Sequence, residues 1–383
     1  MLKLVSIVPF HCSDIAIPHV FYSLCKRWQG PNLYAHMVVP SCDATLRQPR
    51  MTEAVSPFLR WYYYKQGELP RKMAENLFLR KLQQFDAAYI WPGISLKTMQ
   101  KARSFSKPIF LERVNCFTGL SKQILDEGYT QLGLKPTHQA NLKSIRAELA
   151  EIELADFLLC PSQIVTQSFL DAGVPAYKLL TTSEGWSPER FSYLHEAKPV
   201  PKQRSDDFTA VFMGSDSIRK GLPTLLRVWE KANIRGKLVI LGHLDPVVAE
   251  LCSNTLSRTD VVVLNARPDY ASYYLSADVF VLPSLEEGSP LVTYEAMAHG
   301  LPVLASPMGA GGIVRDGVDG FVIPAEAEDR WVETLVTLAT DQELRQQMGE
   351  SARQQAYEYT WDKVAARRAN LMLNALNQQA IAC

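Results

Sequence analysis

The sequence has no apolar run long enough to cross a membrane as a helix, which needs roughly 18 or more residues. Its seven cysteines are odd in number and scattered, without a CxxC pair. That distribution is typical of reduced thiols and argues against a disulfide framework or a zinc site. Internal repeats and low-complexity tracts are also missing. These absences exclude membrane-spanning, disulfide-stapled and solenoid classes and predict a cytoplasmic globular protein.

Two signals that would redirect this interpretation are missing as well. The glycine-rich run SPMGAGG at residues 306–312 is not a GxGxxG dinucleotide fingerprint, because position 314 is Val and because such a turn belongs early, in a first βαβ unit. A dehydrogenase is therefore a poor fit. The first ten residues have one Lys, a short apolar run and no small-residue cleavage site, so we expect a first strand and not a signal peptide.

Length and charge indicate two domains of different character. The 383 residues suggest two domains, and 47% apolar residues support buried cores. Residues 192–207, with two prolines and alternating charges, form the best linker, so we place domains at 1–190 and 208–360. Residues 1–190 hold 22 Lys/Arg and 16 Asp/Glu, whereas the remainder holds 18 and 24. The basic first half hints at an anionic partner such as a membrane surface.

The most informative stretch is Val279–Ile323. It opens with four continuous apolar residues, the length of a buried parallel strand. A polar loop follows, and Ser289-Pro290 predicts a helix start, with a hydroxyl cap and then proline at the first helical position. Gly300 ends this helix after about His299, and Val303–Ala305 predicts the next strand.

This strand–loop–helix unit predicts an anion site beside a diol site. In an open α/β sheet, ligands bind at the carboxyl ends of strands, where the Gly288–Val292 turn would point backbone N–H groups at an anion. Glu287 precedes the helix, and Glu295 lies one turn along it on the face of Leu291. A carboxylate can hold two vicinal hydroxyls of a ribose. The arrangement suggests a nucleoside diphosphate ligand, although Glu295 alone could be a solvated surface residue.

Glu287 and Glu295 have seven residues between them, and the stretch that contains both is EEGSPLVTYEAMAHGLPV, followed by DGVDGF at residues 316–321. This composite pattern resembles the signature of the family 4 glycosyltransferases, which have the GT-B fold. The resemblance covers most of the chain and is fuller in its second half.

The resemblance implies an α/β protein of GT-B architecture, with two Rossmann-like domains facing a cleft and a final helix at about 361–383 that crosses back to the first domain. It implies a retaining enzyme of polysaccharide biosynthesis that moves a hexose from a nucleoside-diphosphate sugar to a glycan, lipid-linked or small-molecule acceptor. No DxD pair stands at a predicted strand end, so we predict transfer without a metal ion or cofactor.

Donor-site residues carried over from the family fall in the second domain. Arg219 and Lys220 precede a glycine and an apolar helix, where adjacent cations suit a diphosphate, and with Glu287 they form the expected catalytic set. Ser215 stands where many members have Arg, and Arg219 could take over that role. The expected donor contacts are Gly214, Ser215, Gly288, Ser289, Leu291, Val292 and Glu295, with Ala266 and Arg267 beside the nucleotide base.

Loops of the first domain supply acceptor-side candidates. The loop after the first strand has no glycine, where the family usually has a glycine-rich turn, and it offers His11, Ser13 and Asp14. Arg113 and Asn115 follow a later strand, where the family often has a histidine nearby and this chain has none. His11 could instead be a structural or solvated group, and Arg113 could form a structural ion pair.

The segment Arg60–Phe85 contains six basic and two acidic residues among aromatics. A helix predicted to begin at Pro70 has an apolar stripe formed by Met73, Leu77, Phe78 and Leu82. This segment could contact anionic lipid at the inner membrane face, or it could be a surface helix packed on its sheet. No nucleic-acid recognition motif accompanies it.

Two rival functions stay open. A non-catalytic GT-B protein could bind a nucleotide sugar in polysaccharide assembly; Ser215 and the glycine-poor first loop favour it, whereas the Glu287/Glu295 pair and the adjacent cations oppose it. A GT-B phosphorylase or epimerase is the second rival, and release of free sugar phosphate would reveal it.

Overall fold

The computed structural model describes residues 1–59, 61, 67–194, 207–265 and 270–382. The chain divides into two compact units. The first contains Met1–Gly119, Ala140–Glu184 and Trp361–Cys383, and the second contains Leu120–Gln139 and Gly185–Thr360. The largest difference between the predicted domain limits and these units lies at residues 120–139. Residues 120–139, which the sequence places in the first domain, pack with the second unit because their apolar side chains join its core.

The elements alternate along the chain as expected for an α/β protein. The strands are β1 (Leu2–Ile7), β2 (Leu33–Val39), β3 (Met51–Glu53), β4 (Ala87–Ile90), β5 (Ile109–Glu112), β6 (Phe157–Cys160), β7 (Leu179–Thr181), β8 (Phe208–Met213), β9 (Gly236–Leu241), β10 (Val261–Leu264), β11 (Val279–Leu282), β12 (Val303–Ala305) and β13 (Gly320–Val322). The helices are α1 (Ala16–Cys25), α2 (Leu69–Leu82), α3 (Leu96–Arg103), α4 (Thr118–Gln131), α5 (Leu142–Leu154), α6 (Gln163–Asp171), α7 (Leu222–Ala232), α8 (Pro246–Leu251), α9 (Ser253–Leu256), α10 (Ala271–Ser276), α11 (Leu291–Ala298), α12 (Pro307–Ala310), α13 (Glu328–Thr340), α14 (Gln342–Ala356) and α15 (Trp361–Ala382).

The first unit is built on a parallel sheet with the strand order β3-β2-β1-β4-β5-β6-β7. The central strands are fully buried and, apart from Glu112 at the end of β5, lack charged residues, as expected for parallel strands covered by helices. Since β2 and β3 lie on one side of β1 and β4 lies on the other, the order reverses between β1 and β4. The loops after these strands therefore flank the topological switch point of this unit.

The second unit has a parallel sheet with the order β10-β9-β8-β11-β12-β13. Its switch point lies between β8 and β11, which places the loops after these two strands, residues 214–221 and 283–290, side by side. The predicted strand limits are confirmed for β11 and β12. Each is a continuous apolar run bounded by polar residues, proline or glycine, which leaves little freedom for its ends.

A buried ion cluster ties α15 into the first unit. The Arg368 side chain is fully buried and lies 2.9 Å from Glu112 on β5 and 3.4 Å from Glu184. It also donates to the Ser183 carbonyl at 2.7 Å. Burial alone would lower the pKa of Arg368, but the Glu112 and Glu184 carboxylates outweigh it and raise the pKa above the ordinary value. Removing one partner of such a pair typically costs about 3–5 kcal/mol, so this cluster fixes the terminal helix firmly.

The basic segment of the first unit adopts the predicted helix with a shifted face. α2 packs against β1 and β2 and buries Ala74, Phe78 and Leu82, while Met73 and Leu77 are half-buried. The helix is therefore packed on its sheet, as one of the two interpretations held. Residues 60 and 62–66 lie outside the described residues.

Along the described ranges, no helix combines the length and apolar character that crossing a membrane requires.

Candidate functional site

The candidate site lies where the loops after β8 and β11 approach each other in the second unit. The Leu285 N–H donates to the Arg219 carbonyl at 2.8 Å, which joins the two loops through their backbones. Gly221 has a φ of +72°, and a Cβ there would clash with the Pro283 carbonyl. Glycine is required here both for the left-handed backbone and for this close approach.

Arg219 is surrounded by carboxylates. Its Nε lies 2.8 Å from Asp216 Oδ2, and its Nη1 lies 3.0 Å from Glu287 Oε1 and 3.7 Å from Glu286 Oε2. Nη1 also donates to the Glu286 carbonyl at 3.0 Å. Burial alone would lower the pKa of Arg219, but Glu287, Asp216 and Glu286 outweigh it and raise the pKa above its ordinary value. The guanidinium is therefore held as a fixed cation.

Glu287 sits between the two predicted cations. Its Oε1 lies 3.0 Å from Arg219 Nη1 and 2.5 Å from Lys220 Nζ, without the alignment of a hydrogen bond to either. The carboxylate is 8% exposed and the Lys220 side chain 12% exposed. The structure thus brings together the three residues expected to be catalytic, and the carboxylate neutralises the cations that were assigned to a diphosphate.

The start of α11 differs from the prediction by one residue. Pro290 is the N-cap, with extended backbone angles, and no side chain caps the helix. Ser289, predicted as the cap, instead shares a 2.7 Å hydrogen bond with the Tyr294 hydroxyl. Leu291 and Val292 are the first helical residues, so their N–H groups have no intrahelical acceptor. Gly288 and Ser289, just before this turn, are buried.

Glu295 lies one turn further along α11 in a buried setting. The Tyr270 and Tyr274 hydroxyls donate to its carboxylate at 3.2 and 3.4 Å, and Arg190 Nη1 lies 3.8 Å away. Burial raises the pKa of Glu295 to about 7, against the opposing effects of Arg190 and the two tyrosines. The solvated-surface interpretation of Glu295 is therefore wrong. His299 packs on Tyr274, and burial lowers its pKa to about 4.

The partners of Glu295 were missed from the sequence. Tyr270 and Tyr274 are four residues apart, the spacing that puts two side chains on one helix face, and this was the one available signal. Arg190 comes from the short 3₁₀ segment Pro188–Leu194, far from Glu295 in sequence. Ala266 and Arg267, expected beside the nucleotide base, lie outside the described residues.

The loop after β8 places the remaining donor candidates at its start. The aliphatic part of the Lys220 side chain packs against Gly214. A Cβ at position 214 would lie 3.0 Å from the Lys220 Cδ. Ser215 is exposed, and its hydroxyl accepts a 3.4 Å hydrogen bond from the His243 N–H. The guanidinium in this loop therefore belongs to Arg219.

In the first unit, His11 and Asp14 have local partners. His11 contacts Ser41 at 2.8 Å and Asp43 at 3.0 Å through its two ring nitrogens, and Asp14 contacts His19 at 2.6 Å. These contacts connect the loop after β1 to neighbouring elements. Ser13 lies half-buried in the same loop.

Arg113 forms the structural ion pair that was the alternative to acceptor contact. It is buried, pairs with Glu148 and lies 3.4 Å from Glu151, and its guanidinium sits over the Phe169 ring at 5.3 Å. Burial lowers the pKa of Arg113, and Glu151 opposes that effect. Asn115 is half-buried two residues further on.

Comparison with known proteins agrees with these features. Residues 195–355, less than half of the chain, match the family of glycosyl transferases group 1. The chain is 33% identical over 121 residues to a D-inositol 3-phosphate glycosyltransferase of Corynebacterium glutamicum, covering 31% of this chain and 29% of that protein. It is 29% identical over 235 residues to a sulfoquinovosyl transferase of Arabidopsis thaliana, covering 58% and 45%. The matched stretches span less than half the length of these curated relatives.

Solved structures are similar over nearly the whole chain. Anabaena HepE in complex with UDP and glucose is 15% identical, with 98% of this chain and 100% of HepE covered and a TM-score of 0.69. A sucrose-phosphate synthase from Thermosynechococcus elongatus is 17% identical, with 100% of each chain covered and a TM-score of 0.71. The fold is therefore the GT-B fold, with two Rossmann-like parallel-sheet domains.

The buried Glu295 carboxyl makes stability depend on pH. Because its pKa is about 7 in the folded protein and lower when unfolded, its contribution is fully present below the unfolded pKa and is lost as pH rises through 7. Glu295→Gln resembles the protonated form and should not lose it. Between pH 5 and 8, urea unfolding should show the wild type losing roughly 2 kcal/mol relative to this variant.

Glu250→Gln is the matched control, because Glu250 is exposed on α8 of the same unit. It should follow the wild-type pH dependence. Parallel pH curves for the wild type and Glu295→Gln would contradict the raised pKa.

Proposed function

We propose that this chain is a group 1 glycosyltransferase that moves a hexose from a nucleoside-diphosphate sugar to a glycan, lipid-linked or small-molecule acceptor. The observation that carries this proposal is the grouping of Arg219, Lys220 and Glu287 beside the uncapped start of α11, with Glu295 one turn along. Cations and N–H groups suit a diphosphate, and a buried carboxylate suits a diol. The match over residues 195–355 and the UDP-glucose complex of HepE support a nucleotide-sugar donor.

Donor binding in this proposal is an exchange of anions. Without donor, Glu287 neutralises Arg219 and Lys220. The donor diphosphate takes over the two cations, together with the N–H groups of Ser289, Leu291 and Val292. Glu287 is then released to accept hydrogen bonds from hydroxyls of the transferred sugar, while Glu295 holds the ribose. Each buried charge keeps a partner before and after binding, which avoids the cost of an isolated buried ion.

The proposed reaction retains the anomeric configuration. The bond between the anomeric carbon and the diphosphate oxygen breaks, and the acceptor oxygen forms its bond on the same face. The acceptor hydroxyl proton passes to a phosphate oxygen of the leaving group. Arg219 and Lys220 stabilise the charge that develops on the nucleoside diphosphate, the kind of electrostatic effect that usually dominates catalysis. Independence from metal ions and cofactors belongs to this proposal.

Contact with an anionic membrane surface is a second part of the proposal. Phe58 is 89% exposed and Trp61 is 67% exposed on the first unit. Arg71 is paired with Glu68 at 3.0 Å and approaches Glu75, so part of the positive charge of α2 is neutralised locally. Exposed aromatic side chains therefore carry this proposal more than the basic residues do, since amphipathic rings favour the membrane–water boundary.

The donor proposal predicts stabilisation by one nucleoside diphosphate. UDP, GDP, ADP and TDP are compared by thermal unfolding of the wild type, and a diphosphate at a hundred times its dissociation constant should add about 2.7 kcal/mol. Lys220→Ala should lose most of this shift because it removes one of the two cations. Lys237→Ala is the matched control, since Lys237 is exposed near the start of β9. Absence of any shift in the wild type would overturn the proposed donor site.

Turnover separates the enzyme from its rivals. The wild type is incubated with the sugar nucleotide of the selected diphosphate and a panel of glycan and lipid acceptors, with and without EDTA. We expect nucleoside diphosphate release that depends on acceptor, a product of retained configuration by NMR, and no loss with EDTA. Binding without turnover on every acceptor would support the non-catalytic protein, and release of free sugar phosphate would support a phosphorylase or epimerase.

The membrane proposal predicts co-sedimentation of the full chain with vesicles of phosphatidylglycerol and phosphatidylcholine. Binding should be weaker to phosphatidylcholine alone and should fall sharply in Phe58→Ser/Trp61→Ser, which removes the two exposed rings. Tyr177→Ser, an exposed ring elsewhere on the first unit, is the control. Equal binding of both variants, or no binding to either vesicle, would contradict the proposal.

A further inference from the structure

Helix α4 lies in the first half of the sequence, but from Leu120 onward it packs in the second unit. There it contacts the loop after β11. Gly128 faces Leu285, and a Cβ at position 128 would lie 2.6 Å from the Leu285 Cδ1. Tyr129 is buried in the core of the second unit. The residues from Leu120 to Gln131 thus pack against the loop that carries Glu286 and Glu287.

A polar contact joins α4 to this loop. The Ser121 hydroxyl donates to Glu286 Oε1 at 3.0 Å, and both residues are buried, at 7% and 1% exposure. The other carboxylate oxygen of Glu286 lies 3.7 Å from Arg219 Nη1. Glu286 is therefore shared between a hydroxyl on α4 and the guanidinium of the candidate donor site.

The distances show that the Glu286 carboxylate lies closer to Ser121 than to Arg219. Glu286 hydrogen-bonds to Ser121, whereas its contact with Arg219 is longer than the 3.0 Å that separates Arg219 from Glu287. Without the hydroxyl that holds it, the Glu286 carboxylate would be drawn toward the Arg219 guanidinium, because opposite charges attract more strongly in a buried setting than in water. A closer Glu286 would offset more of the Arg219 charge and would leave less of that charge for a ligand.

We infer that Ser121 is a positioning residue of the donor site, which holds the Glu286 carboxylate back so that Arg219 can exchange Glu287 for a diphosphate. This inference rests on the proposed function for the identity of the ligand. It assigns to α4, a segment outside the matched family region, control over the affinity of the site for diphosphates.

The test is a double-mutant cycle read by titration calorimetry, with UDP, GDP, ADP, TDP and inorganic pyrophosphate as probes. Ser121→Ala should weaken binding of the diphosphate that the wild type prefers by about tenfold, the effect expected for one hydrogen bond to a charged group. Glu286→Gln should bind at least as tightly as the wild type, because it removes a competing charge. In the Glu286→Gln background, Ser121→Ala should change the affinity by less than about twofold.

Gln123→Ala is the matched control, because Gln123 lies on the exposed face of α4 and pairs with Glu127 at 3.1 Å. It should bind diphosphate as the wild type does. A Ser121→Ala loss that persists unchanged in the Glu286→Gln background would show a general packing role and overturn the inference. Unchanged affinity in Ser121→Ala would overturn it directly.

Hydrogen exchange decides the inference without any ligand. Ser121→Ala should change amide exchange in residues 283–290 and 214–221 while α4 itself keeps its wild-type protection. Identical exchange in both loops would overturn the positioning role. If no probe binds the wild type, the proposed function fails, and the exchange result still shows whether Ser121 holds the Glu286 loop.

Discussion

Buried charge needs a partner, and this requirement organises the second unit. Arg219 and Lys220 share a small volume with Asp216, Glu286 and Glu287 at the carboxyl ends of β8 and β11. Glu286, Glu287 and Lys220 are largely buried, and none of them could be buried alone without a cost of several kcal/mol. The parallel sheet brings the two loops together, glycine at 221 permits the close backbone approach, and the ion pairs then fix the side chains.

This arrangement explains how one site can serve two anions. In the described structure the Glu287 carboxylate contacts Arg219 and Lys220. The start of α11 has no capping side chain. A diphosphate offers more negative charge than one carboxylate and can also accept hydrogen bonds from the helix start. In the proposed function, the competition between Glu287 and a phosphate sets the affinity of the site. In our further inference, Glu286 with Ser121 adjusts how much of the Arg219 charge remains available.

The sequence predicted those parts of the molecule that local chemistry determines. Strands such as Val279–Leu282 are continuous apolar runs with a proline just after them, so their limits follow from the residues themselves. The start of α11 was misplaced by one residue because Ser-Pro fits both a cap with a first helical proline and a proline cap. Tertiary packing chose the second, with Ser289 bonded to Tyr294.

Long-range partners could not be predicted in the same way. The residues at 120–131 do not themselves state which unit they will pack in. The sequence therefore placed Ser121 in the first domain, whereas it packs in the second unit, and its contact with Glu286 could not be predicted. Arg190 reaches Glu295 across more than a hundred residues of sequence. The family motif identified Glu295 itself, but its burial between two tyrosines, and hence its raised pKa, depends on the folded surroundings.

The most direct measurement is the affinity of Glu287→Gln for the nucleoside diphosphate that the wild type binds, by calorimetry. If Glu287 competes with the diphosphate for Arg219 and Lys220, removing its charge should tighten binding by about fivefold, corresponding to roughly 1 kcal/mol. The same variant should lose sugar transfer, because the amide cannot replace the carboxylate as an acceptor from the sugar hydroxyls. Weaker diphosphate binding in Glu287→Gln would contradict the exchange of anions on which the account depends.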